Sequence, residues 1–148
     1  MSKTTVSAFA KRREAGEKIV MITVGSAAES AAAAAAGIDI LLVGDSLGMT
    51  MLGHDTTLPV TMEVMLHHTA AVRRGAPEAF VIFDMPFMSY QCGADEAVRT
   101  AGKAVQEAGA DAVKLEGGAD PELIRRMVTS GIPVLPWRRE TMLPEDWV

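Results

Sequence analysis

Ile38-Asp39-Ile40-Leu41-Leu42-Val43-Gly44-Asp45-Ser46-Leu47-Gly48-Met49-Thr50 is the stretch that decides how this chain is read. Residues 38–43 are apolar apart from Asp39, the pattern of a strand buried on both faces. The chain then presents a glycine, a carboxylate and a hydroxyl in immediate succession. In parallel α/β folds ligands bind at the carboxyl ends of strands. Asp45 and Ser46 are therefore candidates for a metal or substrate site. Upstream, six consecutive alanines at residues 31–36 suit the interior of a helix, and Gly37 suits its end.

The same pattern repeats outward from this core. Strands are expected over residues 18–24, 79–84 and 112–116, and a fifth begins at 133–135. Helices are expected over residues 5–16, 27–36, 61–74, 95–108 and 121–130, with residues 44–59 as one long loop. Thr61 caps one helix and Pro121 opens another. A weak internal repeat sets Ala36-Gly37-Ile38-Asp39-Ile40-Leu41 against Ala108-Gly109-Ala110-Asp111-Ala112-Val113. Strands that alternate with helices imply an α/β fold of parallel (β/α) units, covered on both sides or closed into a barrel. The sequence has 148 residues, enough for one domain with a hydrophobic core and fewer than the roughly 250 of a complete (β/α)8 barrel. Residues 136–148 are polar and proline-punctuated, and break the pattern.

Composition narrows the function. With 14 basic and 19 acidic residues the net charge is -5, which argues against a nucleic-acid surface. Cys92 stands alone and has no internal disulfide partner, as in a reducing compartment. The longest apolar stretch, residues 31–43, contains Asp39 and is shorter than the ~18 residues of a membrane span. A cytoplasmic protein with no membrane or nucleic-acid partner is the expectation.

Three expected strand ends carry acids: Asp45, Asp84 and Glu116. In a parallel sheet these ends share one edge, so the carboxylates can converge as hard oxygen ligands suited to Mg²⁺. Lys114 lies two residues before Glu116, so both side chains point to the same face of a strand. A buried lysine beside a glutamate is costly unless paired or used. Either a structural ion pair or an anion-binding site explains it. Asp45-Ser46 taken alone is more often a helix N-cap than a site. His67 and His68 are adjacent on a helix and face different ways, as structural residues do. His54 could order the long loop or touch a substrate. Arg73-Arg74 at a helix end complements the helix dipole.

Several long motifs, in order, carry a family resemblance. Val43-Gly44-Asp45-Ser46-Leu47-Gly48-Met49, Gly53-His54-Asp55-Thr56-Thr57-Leu58-Pro59-Val60-Thr61 and His68-Thr69-Ala70-Ala71-Val72-Arg73-Arg74-Gly75-Ala76 come first. Asp84-Met85-Pro86-Phe87-Met88-Ser89-Tyr90 and Val113-Lys114-Leu115-Glu116-Gly117-Gly118 follow. Together they resemble ketopantoate hydroxymethyltransferase. The resemblance implies a TIM barrel, (β/α)8, of the phosphoenolpyruvate/pyruvate type, here truncated to about half. Residues 1–135 would be its N-terminal half and 136–148 a divergent tail.

The implied reaction is transfer of a hydroxymethyl group from 5,10-methylenetetrahydrofolate to 3-methyl-2-oxobutanoate. It gives 2-dehydropantoate in pantothenate synthesis, through a Mg²⁺-stabilised enolate. By motif, Asp45, Asp84 and Glu116 would serve the metal, and Asp45, Ser46, Asp84 and Lys114 would bind the keto acid. The family's glutamate general base lies beyond this chain, so no catalytic residue is assigned. The implied partners are a 2-oxo acid, folate and further copies of the chain, since the family forms decamers.

The sequence departs from the family twice. Val24-Gly25-Ser26 replaces an Ala-Tyr-Asp motif. Leu135-Pro136-Trp137-Arg138-Arg139 replaces a Gly-His-x-Gly-Leu-Thr-Pro motif. The rival readings are a non-catalytic Mg²⁺ and keto-acid binder, and another Mg²⁺-dependent 2-oxo-acid carbon–carbon lyase of the same superfamily.

Overall fold

A computed structural model describes residues 4–117 and 120–137. The order of elements is α1 (Val6–Glu14), β1 (Met21–Thr23), α2 (Ala27–Ala35), β2 (Ile40–Val43), α3 (Leu47–Thr50), α4 (Met62–Gly75), β3 (Phe80–Asp84), α5 (Ala94–Ala108), β4 (Ala112–Glu116), α6 (Pro121–Thr129) and β5 (Val134–Trp137). All strand pairs are parallel, and the sheet runs β1-β2-β3-β4-β5. Each strand lies beside its predecessor, with no reversal of order. That is the winding of a barrel wall and not of a doubly wound sheet, whose strand order reverses.

Alternation along the strands sends side chains to two faces. Leu41, Val43, Val81, Phe83, Val113 and Leu115 form the outer face. They are buried under Met65 and Val72 of α4, Ala97, Ala101 and Ala104 of α5, and Leu123 and Met127 of α6. Leu42, Phe80, Ile82 and Ala112 form the inner face, and α1 covers it with Phe9. The Phe9 and Phe80 rings meet edge to face at 5.1 Å, a favoured aromatic geometry.

Small residues let α2 and α4 approach closely. A Cβ on Gly75 would lie 2.2 Å from the Ala27 carbonyl oxygen and 2.3 Å from Ser30 Oγ. The Ser30 hydroxyl, fully buried, donates to the Val72 carbonyl at 2.9 Å.

The internal repeat has a structural cause. The Asp39 carboxylate accepts from the Val20 N–H at 2.8 Å, and Asp111 accepts from the Val81 N–H at 2.9 Å. Each aspartate ties the entry of one strand to the strand before it, and each draws in an arginine from a helix. Arg12 of α1 pairs with Asp39, and Arg73 of α4 pairs with Asp111. Arg73 also donates to the carbonyls of Gly109 and Ala79 at 2.9 and 2.7 Å. Arg73 and Arg74 do lie in the last turn of α4, and beyond complementing the dipole Arg73 pins the end of that helix to two strand entries.

Other boundaries move as well. The loop expected over residues 44–59 holds the short helix α3. β1 is three residues long, not seven. β5 continues through Trp137, so Pro136 and Trp137, expected in a tail, pair with Leu115 and Glu116. Residues 138–148 of that expected tail lie outside the described residues. Among the described residues no helix is long and apolar enough to cross a membrane.

Candidate active site

The carboxyl ends of β2, β3 and β4 carry a cluster of ionisable side chains. Register places Asp84 opposite Lys114, and both side chains point to the inner face beyond Ile82 and Ala112. The Lys114 ammonium donates to Asp84 Oδ2 at 2.8 Å and also to Glu116 Oε1. The side chains of Asp84 and Lys114 are 5% and 7% exposed, whereas Glu116 is half-exposed. Asp84 Oδ1 is buried with no hydrogen-bond partner, an expensive state for a carboxylate oxygen.

Three carboxylates share one ammonium, and burial more than their mutual repulsion sets the shifts of Asp84 and Asp45. Burial pushes the Asp84 carboxyl up to about 6; Lys114 pulls it down, and Asp45 and Glu116 add to the rise. Burial also raises Asp45, with Glu116 next in importance, while the Thr57 side chain, Lys114 and the Ser46 backbone favour its ionised form. For Lys114, burial works against the ammonium, but Asp84 and Glu116 outweigh it and hold its pKa above the ordinary value. Asp45, Asp84 and Lys114 thus each hold a proton more tightly than they would in water.

Gly44 leaves a cradle beside this pair. A Cβ built there would lie 3.1 Å from Ser46 Oγ, 3.4 Å from the Thr23 methyl carbon and 3.8 Å from Asp84 Oδ2. Ser46 occupies the N-cap position of α3 but makes no side-chain cap bond. Its hydroxyl is therefore not used as the cap that Asp45-Ser46 could have formed. The structure thus gathers Ser46, Asp84, Lys114 and Glu116, and Asp45 feels the charges of the same group.

The expectation that Asp45, Asp84 and Glu116 would surround one ion meets a different geometry. Among the described residues no three His, Cys, Asp or Glu side chains are grouped to hold a metal. Lys114 stands between Asp84 and Glu116 and engages both. Asp45 and the unpartnered Asp84 Oδ1 remain as the oxygen donors that fit a divalent cation.

Sequence reasoning passed over several neighbours. Thr57 acts on Asp45. The Tyr90 hydroxyl donates to the Glu116 carbonyl at 3.1 Å and latches the loop after β3 onto β4. Both lie inside the motifs quoted above, but no spacing rule ties either to a distant strand end. His68 serves structure: its Nδ1 is 2.6 Å from the Gly25 carbonyl oxygen. His54 is exposed in its loop, and its backbone N–H donates to the Gly48 carbonyl at 2.8 Å. Cys92 is free and exposed.

The Val24-Gly25-Ser26 departure is accommodated locally. Ser26 caps α2, and the Gly25 N–H donates to Glu29 Oε2 at 2.8 Å. A Cβ on Gly25 would meet Met51 Sδ at 2.3 Å, so Met51 occupies the space a side chain at position 25 would need.

Residues 3–137 match the ketopantoate hydroxymethyltransferase family. The chain belongs to that family. It is 55% identical over 134 residues to the 3-methyl-2-oxobutanoate hydroxymethyltransferase of Syntrophus aciditrophicus (strain SB), with 90% of this chain and 49% of the relative covered. It is 57% identical over 136 residues to the enzyme of that name from Desulfotalea psychrophila, with 91% and 48% covered.

This ketopantoate hydroxymethyltransferase homologue therefore spans about half the length of the curated relatives it matches. Among solved structures it resembles a 2,3-dimethylmalate lyase of the PEP mutase/isocitrate lyase superfamily. The TM-score is 0.66 at 18% identity, covering 97% of this chain and 57% of that one. An oxaloacetate acetylhydrolase gives 0.67 at 13% identity, covering 96% and 56%. A phosphonopyruvate hydrolase, solved with oxalate and Mg²⁺, gives 0.63 at 13% identity, covering 96% and 66%. These likenesses establish the barrel-type fold of parallel (β/α) units.

Proposed function

We propose that this chain carries the metal- and 2-oxo-acid-binding part of a 3-methyl-2-oxobutanoate hydroxymethyltransferase. The observation that carries this reading is the buried Asp84–Lys114 pair with an unpartnered Asp84 oxygen, set at the sheet's carboxyl edge in a chain of this family. The net reaction consumes 3-methyl-2-oxobutanoate, 5,10-methylenetetrahydrofolate and water. The C3–H bond of the acid breaks, a C3–carbon bond forms to the one-carbon unit, and tetrahydrofolate leaves.

Asp45 and Asp84 would hold Mg²⁺. Bound there, the ion would supply Lewis-acid polarisation of the acid's 2-oxo group. Lys114 is a fixed, buried cation. It can pair with the acid's carboxylate and stabilise the negative charge that develops on its oxygens as C3 loses a proton. Burial strengthens that interaction relative to water. Glu116, being half-exposed, is the partner that Lys114 can release when an anionic ligand arrives. The free Ser46 hydroxyl can donate to the same carboxylate.

The test is calorimetric titration with 3-methyl-2-oxobutanoate, with and without Mg²⁺. Binding should require the metal and disappear in Asp84→Ala, which removes an anionic ligand. Equal binding by that variant would take Asp84 out of the site. Deuterium exchange at C3 then separates turnover from holding: an active chain exchanges when Mg²⁺ is present, and a bare binder does not.

A further inference from the structure

Trp137 ends β5 directly beside Glu116 in the strand register. The centroid of its ring lies 5.9 Å from Lys114 Nζ, within the range at which an indole face attracts an ammonium. The side chain is 45% exposed, so it serves the rim of the site more than the core. It also belongs to the segment in which the sequence departs from the family pattern. Lys114 thus has three neighbours of two kinds. Asp84 and Glu116 are charged, and an incoming carboxylate competes with them for the ammonium. The indole is neutral and does not repel such a ligand.

We propose that Trp137 is a positioning residue for the 2-oxo-acid site, holding the Lys114 ammonium at the rim while a ligand carboxylate takes the place of Glu116. This inference rests on the reading of the site given above. Trp137 lies outside the acidic cluster, at the end of β5 where the sequence departs from the family pattern.

The sequence holds two tryptophans, and Trp147→Phe leaves Trp137 as the sole indole reporter. That protein is titrated with 3-methyl-2-oxobutanoate at saturating Mg²⁺, reading emission and heat in parallel. Emission should change with the same midpoint as the heat. Trp137→Leu should weaken binding about 2- to 5-fold, the size of an exposed cation–π contact. Trp137→Phe, which keeps an aromatic face, should lose less. Equal losses in the two variants would indicate mere packing of β5 and overturn the proposal. Flat emission together with unweakened binding by Trp137→Leu would overturn it as well. If the protein with both tryptophans takes up no 2-oxo acid, the reading of the site falls and this inference falls with it. Uptake without a Trp137 response removes only the role of Trp137.

Discussion

Asp84 and Lys114 show how one pair of residues joins stability to function. A buried ion pair is poor value for stability alone, because desolvation offsets much of the attraction. This pair also leaves a carboxylate oxygen without a partner. The raised carboxyl gives a pH signature. The native Asp84 keeps its proton up to about pH 6, whereas the ordinary value is 3.8. Between those limits the native state binds the extra proton, so its contribution to stability is fully present below the unfolded value and is lost as pH rises through about 6. A shift of that size corresponds to on the order of 3 kcal/mol. Urea denaturation between pH 4 and 7 in metal-free buffer should therefore show stability falling with pH. Asp84→Asn, which cannot ionise, should flatten that slope. A slope unchanged in the variant would place the titration elsewhere.

At the scale of elements, the paired aspartate clamps explain why a helix end, a glycine and a strand entry recur together. The repeat was visible as Gly-x-Asp at positions 37–39 and 109–111. Its arginine partners were not, because Arg12 and Arg73 sit far away in the sequence and are brought in only by folding. Arg73 pairs with Asp111 and also donates to several backbone carbonyls, with both side chains mostly shielded. Arg73→Ala should cost about 2–4 kcal/mol in urea denaturation, as loss of a shielded charge pair does. The Arg12–Asp39 clamp is more exposed, so Arg12→Ala should cost less. Equal effects would mean that burial does not govern the clamps. The contact of α2 with α4 gives a second test. Alanines at residues 31–36 signalled a helix, but nothing in the pattern showed Gly75 as its point of closest approach to α4. Gly75→Ala should lower stability by about 1–3 kcal/mol, since the new methyl group meets the Ala27 carbonyl and Ser30. No loss would mean that α4 shifts freely against α2.

For the molecule as a whole, the alternation of parallel strands with covering helices was legible because apolar runs and glycine stops recur at the βα period, whereas the barrel-type strand order came only from the family resemblance. Only the start of the short helix α3 was signalled, by the N-cap reading of Asp45-Ser46, because four residues carry too little periodicity to stand out from a glycine-rich loop. The three acids were legible as strand-end residues. That Lys114 would lie between two of them was not, because strand periodicity fixes a face and not the partner a long side chain reaches. The proposed Mg²⁺ site would be readable in the stability of the fold. A ligand that binds only the native state stabilises it in proportion to the logarithm of its concentration over its dissociation constant, by about 2.7 kcal/mol at a hundredfold excess. For a chain of this size each kcal/mol raises the unfolding midpoint by roughly 2–4 °C. Saturating Mg²⁺ should therefore raise the midpoint by about 5–10 °C at pH 7.5. The rise should shrink below pH 6, where protons compete for Asp84, and vanish in Asp84→Ala. An equal rise in that variant would put the cation elsewhere on this acidic chain. No rise in the parent protein would mean that Lys114 alone satisfies the cluster, leaving Asp45 and Asp84 with no metal to share.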